Sequence, residues 1–297
     1  MSSHPVLKTR VLHSGFVMQV DVQIHDALED TGLIAAIKAL WQTSPVIIIF
    51  RRQVLDESDQ VAFSGKFGQC IEIHRKDNVS PYESKIVYFS TLRYADGRLV
   101  GAFANGEEAD WHSDQTYTPN PATGAMLYGV EVPRDGGHMY WSDQYGAYDL
   151  LSAELKRLID GRVGTFRYTK LINSSEIKGK EKEMVKLPDG RHQVVVSHPI
   201  TGRRALYVDP TRLISIDGLS AAENERVLNR LFEVASDPSL IYDHTVRSGD
   251  VMLWNNGCTL HKREAISVTH PRLMKRTTFR LPRAEHGLPS GCLEAAA

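Results

Sequence analysis

The spacing of apolar and polar positions changes along this chain, and each change predicts a different element. Residues 31–41 (TGLIAAIKALW) place apolar side chains at helical spacing, and the run 45–50 (PVIIIF) directly after them reads as a buried strand. A polar start at Asp56, Glu57, Ser58 and Asp59 leads into an amphipathic helix over 60–67 that stops at Gly68. Between 86 and 103 the pattern becomes short, β-branched and aromatic around a turn at Asp96 and Gly97, which predicts a hairpin or paired strands. Residues 125–132 (AMLYGVEV) predict a strand, 134–137 (RDGG) a turn, and 138–142 the start of another strand.

Residues 145–158 read as helical with a break near Leu151, where Ser152 is placed to cap a second helix. Residues 173–191 are polar, rich in Lys and Glu and without periodicity, so the region around 170–192 is expected to be an insertion and a candidate lid. Strands are predicted at 205–208, 242–246, 251–255 and 275–281. A helix is predicted over 220–235, with Val227, Leu228, Leu231, Phe232 and Val234 on its apolar face. Short strands through the middle and end, with helices gathered in the first half, predict a mainly β fold with flanking helices, a double-sheet jelly roll. No repeat of fixed period and no Pro/Gly linker divides residues 1–297, so one domain is expected, and no glycine-rich phosphate loop supports a doubly wound nucleotide fold.

Composition narrows the partner. Hydrophobic residues make up 42% and charged residues 24%, enough for a sizeable core, while a net charge of -1 with dispersed Lys and Arg favours neither nucleic acid nor an anionic membrane. A small-molecule partner is expected. Cys70, Cys258 and Cys292 are too few and too scattered for a disulfide framework or a thiolate metal site, which fits a reducing, cytoplasmic setting. The N-terminal MSSHPVLKTR lacks the layout of a signal peptide, and no apolar run approaches the ~20 residues of a membrane helix. A homo-oligomer is the expected assembly, as for many soluble enzymes.

Candidate chemistry starts at Trp111-His112-Ser113-Asp114. Residues two apart on an extended segment point to the same side, so His112 and Asp114 can reach one ion together. Two imidazoles and a carboxylate on one face of an octahedron make the site expected of non-haem Fe(II) oxygenases, with the second histidine supplied from elsewhere. The run Gly249–Asn256 reads as a turn and a strand leading into Thr259-Leu260-His261. Arg272 follows eleven residues after His261 and Arg276 fifteen after, a length that lets a returning strand bring both guanidiniums over the metal. Arginine binds carboxylates in bidentate fashion, which suits the far end of a dicarboxylate such as 2-oxoglutarate.

On these residues the chain resembles the taurine dioxygenase and phenoxyacetate-herbicide dioxygenase (TauD/TfdA-like) family of Fe(II)/2-oxoglutarate oxygenases. The likeness covers nearly the whole length, from 45–51 and Phe67-Gly68 through 121–125, Gly136-Gly137, His198-Pro199 and Gly202-Arg203 to His261. The resemblance implies a cupin-like double-stranded β-helix, Fe(II) held by His112, Asp114 and His261, and 2-oxoglutarate and O2 as co-substrates. It implies that Arg272 grips the distal carboxylate of 2-oxoglutarate, and that Arg276, Tyr117 and His74 contact the substrate. The implied reaction is oxidation, by default hydroxylation, of a small and anionic organic substrate with release of succinate and CO2.

Two departures stand out. Where the family usually has Gly-Gly-Asp-Thr this chain has Gly136-Gly137-His138-Met139, and a thioether cannot donate the threonine's hydrogen bond. Where Asp-Asn-Arg is common it has Asn255-Asn256-Gly257, so the surroundings of His261 are rebuilt. Neither change removes a metal ligand. Two rival readings use the same residues: a zinc-dependent hydrolase, which gives the two arginines no role, and a catalytically inactive binding protein on this fold.

Overall fold

The run 45–50 forms the strand Ile47–Phe50, and all four of its side chains are buried. In the computed structural model, which describes residues 5–43, 46–73, 79–101, 106, 108–134, 137–168 and 188–282, this strand lies inside an eight-stranded sheet. It runs parallel to Val17–Val20 on one side and antiparallel to Val251–Asn255 on the other. The sheet continues through Gly124–Glu131 to Leu273–Arg280, whose remaining pairings go to Ile86–Ser90 and Gln69–Cys70.

A continuous apolar run is needed here because both faces of the sheet are covered. Ile48, Phe50, Met126, Leu253 and Phe279 point into a helical layer carrying Ile37, Trp41, Phe63 and Phe67. Ile47, Ile49, Leu127, Met252 and Trp254 point the other way, toward Trp141 and Leu260 of a second sheet. That sheet has four antiparallel strands, ordered Ile241–Thr245, His138–Asp143, Thr259–Arg263 and Ala109–His112. The two sheets face one another across a shared core, the double-stranded β-helix expected from the sequence.

Two devices hold the sheets in position around the future site. The buried Asp250 carboxylate accepts from Arg51 Nη1 at 2.6 Å and from the Arg247 amide at 2.9 Å, and lies 3.1 Å from His244 Nε2. It thereby ties the ends of two strands of the large sheet to one of the small sheet. At the other end, Val251–Asn255 passes through a tight turn directly into Thr259–Arg263. Asn255 closes that turn, its Oδ1 accepting from the Gly257 amide at 2.8 Å and its carbonyl from Thr259 Oγ1 at 2.8 Å.

Gly124 marks a close approach. A Cβ there would lie 2.3 Å from the Phe279 ring, which is itself held by Trp41 and Phe67. Gly124→Ala is therefore expected to destabilise the fold by about 1–3 kcal/mol through overpacking, read as a lower urea midpoint at unchanged slope.

Most predicted elements appear within a few residues. The helical stretch 145–158 is two helices, Gln144–Leu150 and Ala153–Ile159, with Ser152 Oγ accepting from the Leu155 amide at 3.2 Å. The segment 86–103 differs: Ile86–Ser90 pairs with Leu273–Arg280 and not with the residues that follow it. The turn at Asp96-Gly97 closes a short hairpin, with a bridge between Arg93 and Leu99 and amide bonds from Tyr94 to the Arg98 carbonyl and from Val100 to the Leu92 carbonyl. The eight-residue partner strand offers Ile86–Ser90 a longer ladder than its own neighbours do. Of the lid expected around 170–192, residues 170–187 lie outside the described residues. Its last part belongs to the strand Gly190–Gln193, antiparallel to Val163–Phe166, with Gly190 and His192 buried and Arg191 and Gln193 exposed.

Candidate metal centre

His112 ends one strand of the small sheet, and His261 sits on the neighbouring strand in direct register with it. Their rings lie 4.2 Å apart, centroid to centroid. Asp114 stands two residues beyond His112, past the strand end. Ligand atoms of His112, Asp114 and His261 fall within 4.8 Å of one another, and the latter two residues are buried. The register of two neighbouring strands, with a short extension past the end of one, thus brings together three side chains from distant positions.

Each of the three is prepared for a cation. His112 Nδ1 is 2.6 Å from the Asp110 carbonyl, which fixes the proton on that nitrogen and leaves Nε2 with its lone pair. Burial, with His112 nearby, holds the His261 pKa well below its ordinary value, so the ring is neutral. Burial works to raise the Asp114 carboxyl, but interactions led by the Arg276 guanidinium outweigh it and hold the pKa below its ordinary value. His261 Nδ1 and Asp114 Oδ2 are buried with no hydrogen-bond partner, an expensive arrangement for polar atoms unless another group completes it. The donor set of two imidazoles and one carboxylate fits a divalent first-row metal.

The cluster opens into a cavity of about 1710 Å³ that also receives Arg272, Arg276 and Tyr117. Arg272 is only 2% exposed, yet its Nε and Nη2 have no partner. Its backbone exchanges hydrogen bonds with Thr91, the amide donating to Thr91 Oγ1 at 2.9 Å and the carbonyl accepting from the Thr91 amide at 3.0 Å. Burial, with Arg263 adding to it, pushes the Arg272 pKa down to about 10, and among the described residues no carboxylate pairs with it. Arg276 donates from Nη1 to Asp114 Oδ1 at 2.9 Å and lies over the Phe89 ring at 4.8 Å.

Tyr117 lines the cavity and packs on Tyr168 at 4.8 Å between ring centroids, with the Arg212 guanidinium 4.7 Å from the Tyr168 ring. Tyr168, Arg212, Phe89 and Arg263 are not legible in the sequence as site residues. Only Arg263 carries a usable signal, being two residues beyond His261 on a strand. His74 lies outside the described residues.

Asn256 shows how the altered turn still serves the site. Its Oδ1 accepts from Trp254 Nε1 at 2.8 Å, its carbonyl accepts from Ser113 Oγ at 2.8 Å, and its Nδ2 donates to the Ala122 carbonyl at 3.3 Å. The turn thus buttresses the segment 112–114 from behind.

Residues 8–278 match the family described as taurine catabolism dioxygenase TauD, TfdA family. The chain belongs to the TauD, TfdA family. Among its relatives, an alpha-ketoglutarate-dependent 2,4-dichlorophenoxyacetate dioxygenase of a Burkholderia species is 28% identical, over 92% of this chain and 94% of that one. Pentalenolactone F synthase of Streptomyces avermitilis is 27% identical, over 81% and 84%. The solved structure of a taurine dioxygenase from Burkholderia xenovorans superposes with a TM-score of 0.75 at 26% identity, covering 97% of this chain and 96% of that one. The TauD, TfdA membership carries the dioxygenase class, an oxidoreductase dependent on 2-oxoglutarate (alpha-ketoglutarate), and agrees with the two-sheet fold. Among the described residues no helix is long and apolar enough to cross a membrane.

Proposed function

We propose that this chain is an Fe(II)- and 2-oxoglutarate-dependent oxygenase that hydroxylates an unactivated C–H bond of a small anionic substrate, releasing succinate and CO2. The observation that carries this reading is Arg272. A buried guanidinium with two unpartnered nitrogens, sharing a cavity with two histidines and an aspartate, is a carboxylate site beside a metal site. A hydrolase would leave that arginine without a role.

His112, Asp114 and His261 would hold the iron, with His112 offering Nε2. Iron with 2-oxoglutarate and O2 supplies the oxidising chemistry, and the protein's residues bind, orient and exclude water. Arg272 would fix the distal carboxylate. Arg276 orients Asp114 through Oδ1 and faces the same cavity, where its buried Nε has no partner. Leu127, Met274, Phe89 and Trp254 supply apolar wall that keeps water from the reacting C–H.

Arg276, Tyr117 and the Tyr168–Arg212 pair support an anionic substrate with an aromatic or apolar body. The relatives' names include an aryloxy acid, a pentalenolactone and taurine, so their identities do not fix this one. One catalytic domain over 1–297 is part of this reading, supported by a family match that runs from 8 to 278. A cytoplasmic setting is supported by the free thiols of Cys70 and Cys258, and a homo-oligomer by its frequency among enzymes.

The test is a succinate-release screen over sulfonates, aryloxy acids, amino acids and phosphonates. At least one class is expected to raise succinate formation and O2 uptake, strictly with Fe(II) and 2-oxoglutarate. Zinc-supported hydrolysis without either would contradict the reading.

A further inference from the structure

The wall beside Arg272 carries a second buried arginine. Arg263 ends the strand Thr259–Arg263 two residues beyond His261, so both side chains project from one face. It is 7% exposed and lines the same cavity as Arg272 and Met139. In the ladder Arg263 stands directly opposite Met139, just as His261 stands opposite Trp141, and directly opposed residues share a face. Arg272 reaches this patch from the other sheet: a Cβ on Gly137, two residues before Met139, would lie 3.9 Å from Arg272 Nε. Arg263 Nη1 donates to the Glu264 carbonyl at 3.0 Å, and the Glu108 carboxylate at the cavity rim acts on it electrostatically. Two guanidiniums are thus buried around the one position where the family's usual hydroxyl has become a thioether.

We propose that Arg263 and Arg272 together clamp the distal carboxylate of 2-oxoglutarate, Arg263 making the contact that Met139 cannot; this rests on the co-substrate reading above. A hydroxyl at position 139 would give one hydrogen bond in which only the carboxylate acceptor is charged. A guanidinium gives an ion pair in which both partners are charged, and it can donate two parallel bonds to one carboxylate. Two guanidiniums that line one cavity repel one another, and an anion bound between them offsets that repulsion.

The test is an anaerobic titration of the Fe(II)-loaded protein, read from the visible metal-to-ligand band. Two ligands are compared: 2-oxoglutarate, and 2-oxovalerate, which has the same chain length but no distal carboxylate. Arg263→Ala is expected to raise the 2-oxoglutarate dissociation constant about 10- to 100-fold, as for loss of a hydrogen bond to a charged group. It should leave 2-oxovalerate binding unchanged. Arg263→Lys should fall between, and Met139→Thr added to Arg263→Ala should recover much of the loss.

Equal 2-oxoglutarate binding by wild type and Arg263→Ala overturns the proposal, as does an equal loss for both ligands, which would place Arg263 at the metal or in the fold. A double variant as weak as Arg263→Ala overturns the exchange with Met139. If the wild type shows no band with either ligand, the co-substrate reading fails and the proposal falls with it.

Discussion

His261→Ala is expected to lower iron-dependent turnover by on the order of 100-fold or more, since even a partner that only orients a metal ligand is worth about 10–100-fold. The reason lies in how the site is assembled. His261 is held by ladder register against His112, and its ring sits 5.1 Å from Trp254, so the backbone brings it to the cluster whether or not an ion is bound. Removing the imidazole leaves one histidine and one carboxylate, too few to retain Fe(II) against solvent and 2-oxoglutarate. Asp114→Ala should match it in activity but differ in stability, because it also strips Arg276 of its partner. Metal analysis and thermal unfolding check this: Mn(II) or Fe(II) should raise the wild-type melting temperature and leave that of His261→Ala unmoved. A variant that keeps both metal and turnover would remove His261 from the centre.

Arg272→Met should weaken 2-oxoglutarate binding by roughly 30-fold to several thousand-fold, the range for truncating one partner of a buried charge pair. The same substitution should leave the ligand-free protein as stable or more so. Arg272 is buried with two unpartnered nitrogens, and a methionine of similar shape removes that desolvation penalty. Its backbone bonds to Thr91 do not depend on the side chain and survive the change. Binding and stability therefore move in opposite directions, a combination that a residue serving only the fold would not produce. Equilibrium unfolding without ligand, paired with 2-oxoglutarate titration, measures both. Loss of stability together with unchanged affinity would assign Arg272 to the scaffold.

Much of the fold and of the His112–Asp114–His261 cluster is legible in the sequence because strand periodicity is a local property. Residues 251–255 read as a strand from five residues alone, and His112 and Asp114 as a pair from their spacing. Pairing partners are not legible. The segment 86–103 carries a plausible turn, yet Ile86–Ser90 finds its ladder on a strand nearly two hundred residues away, a contact no local pattern encodes. The same limit hides Arg263, whose meaning comes from standing opposite Met139 across a ladder. Arg276 is legible as a cavity arginine, but its bond to Asp114 depends on how two sheets close on one another. Tyr168 and Arg212 come from separate segments and meet only in the folded cavity.

The His112–Asp114–His261 cluster and Arg272 are proposed to form one site for Fe(II) and 2-oxoglutarate. An anaerobic titration of the full chain tests this claim most directly. Fe(II) and 2-oxoglutarate together should produce a visible metal-to-ligand band that neither gives alone, lost in His261→Ala and shifted to much higher 2-oxoglutarate in Arg272→Met. A wild-type protein that binds Fe(II) and shows no such band at any 2-oxoglutarate concentration would contradict the claim.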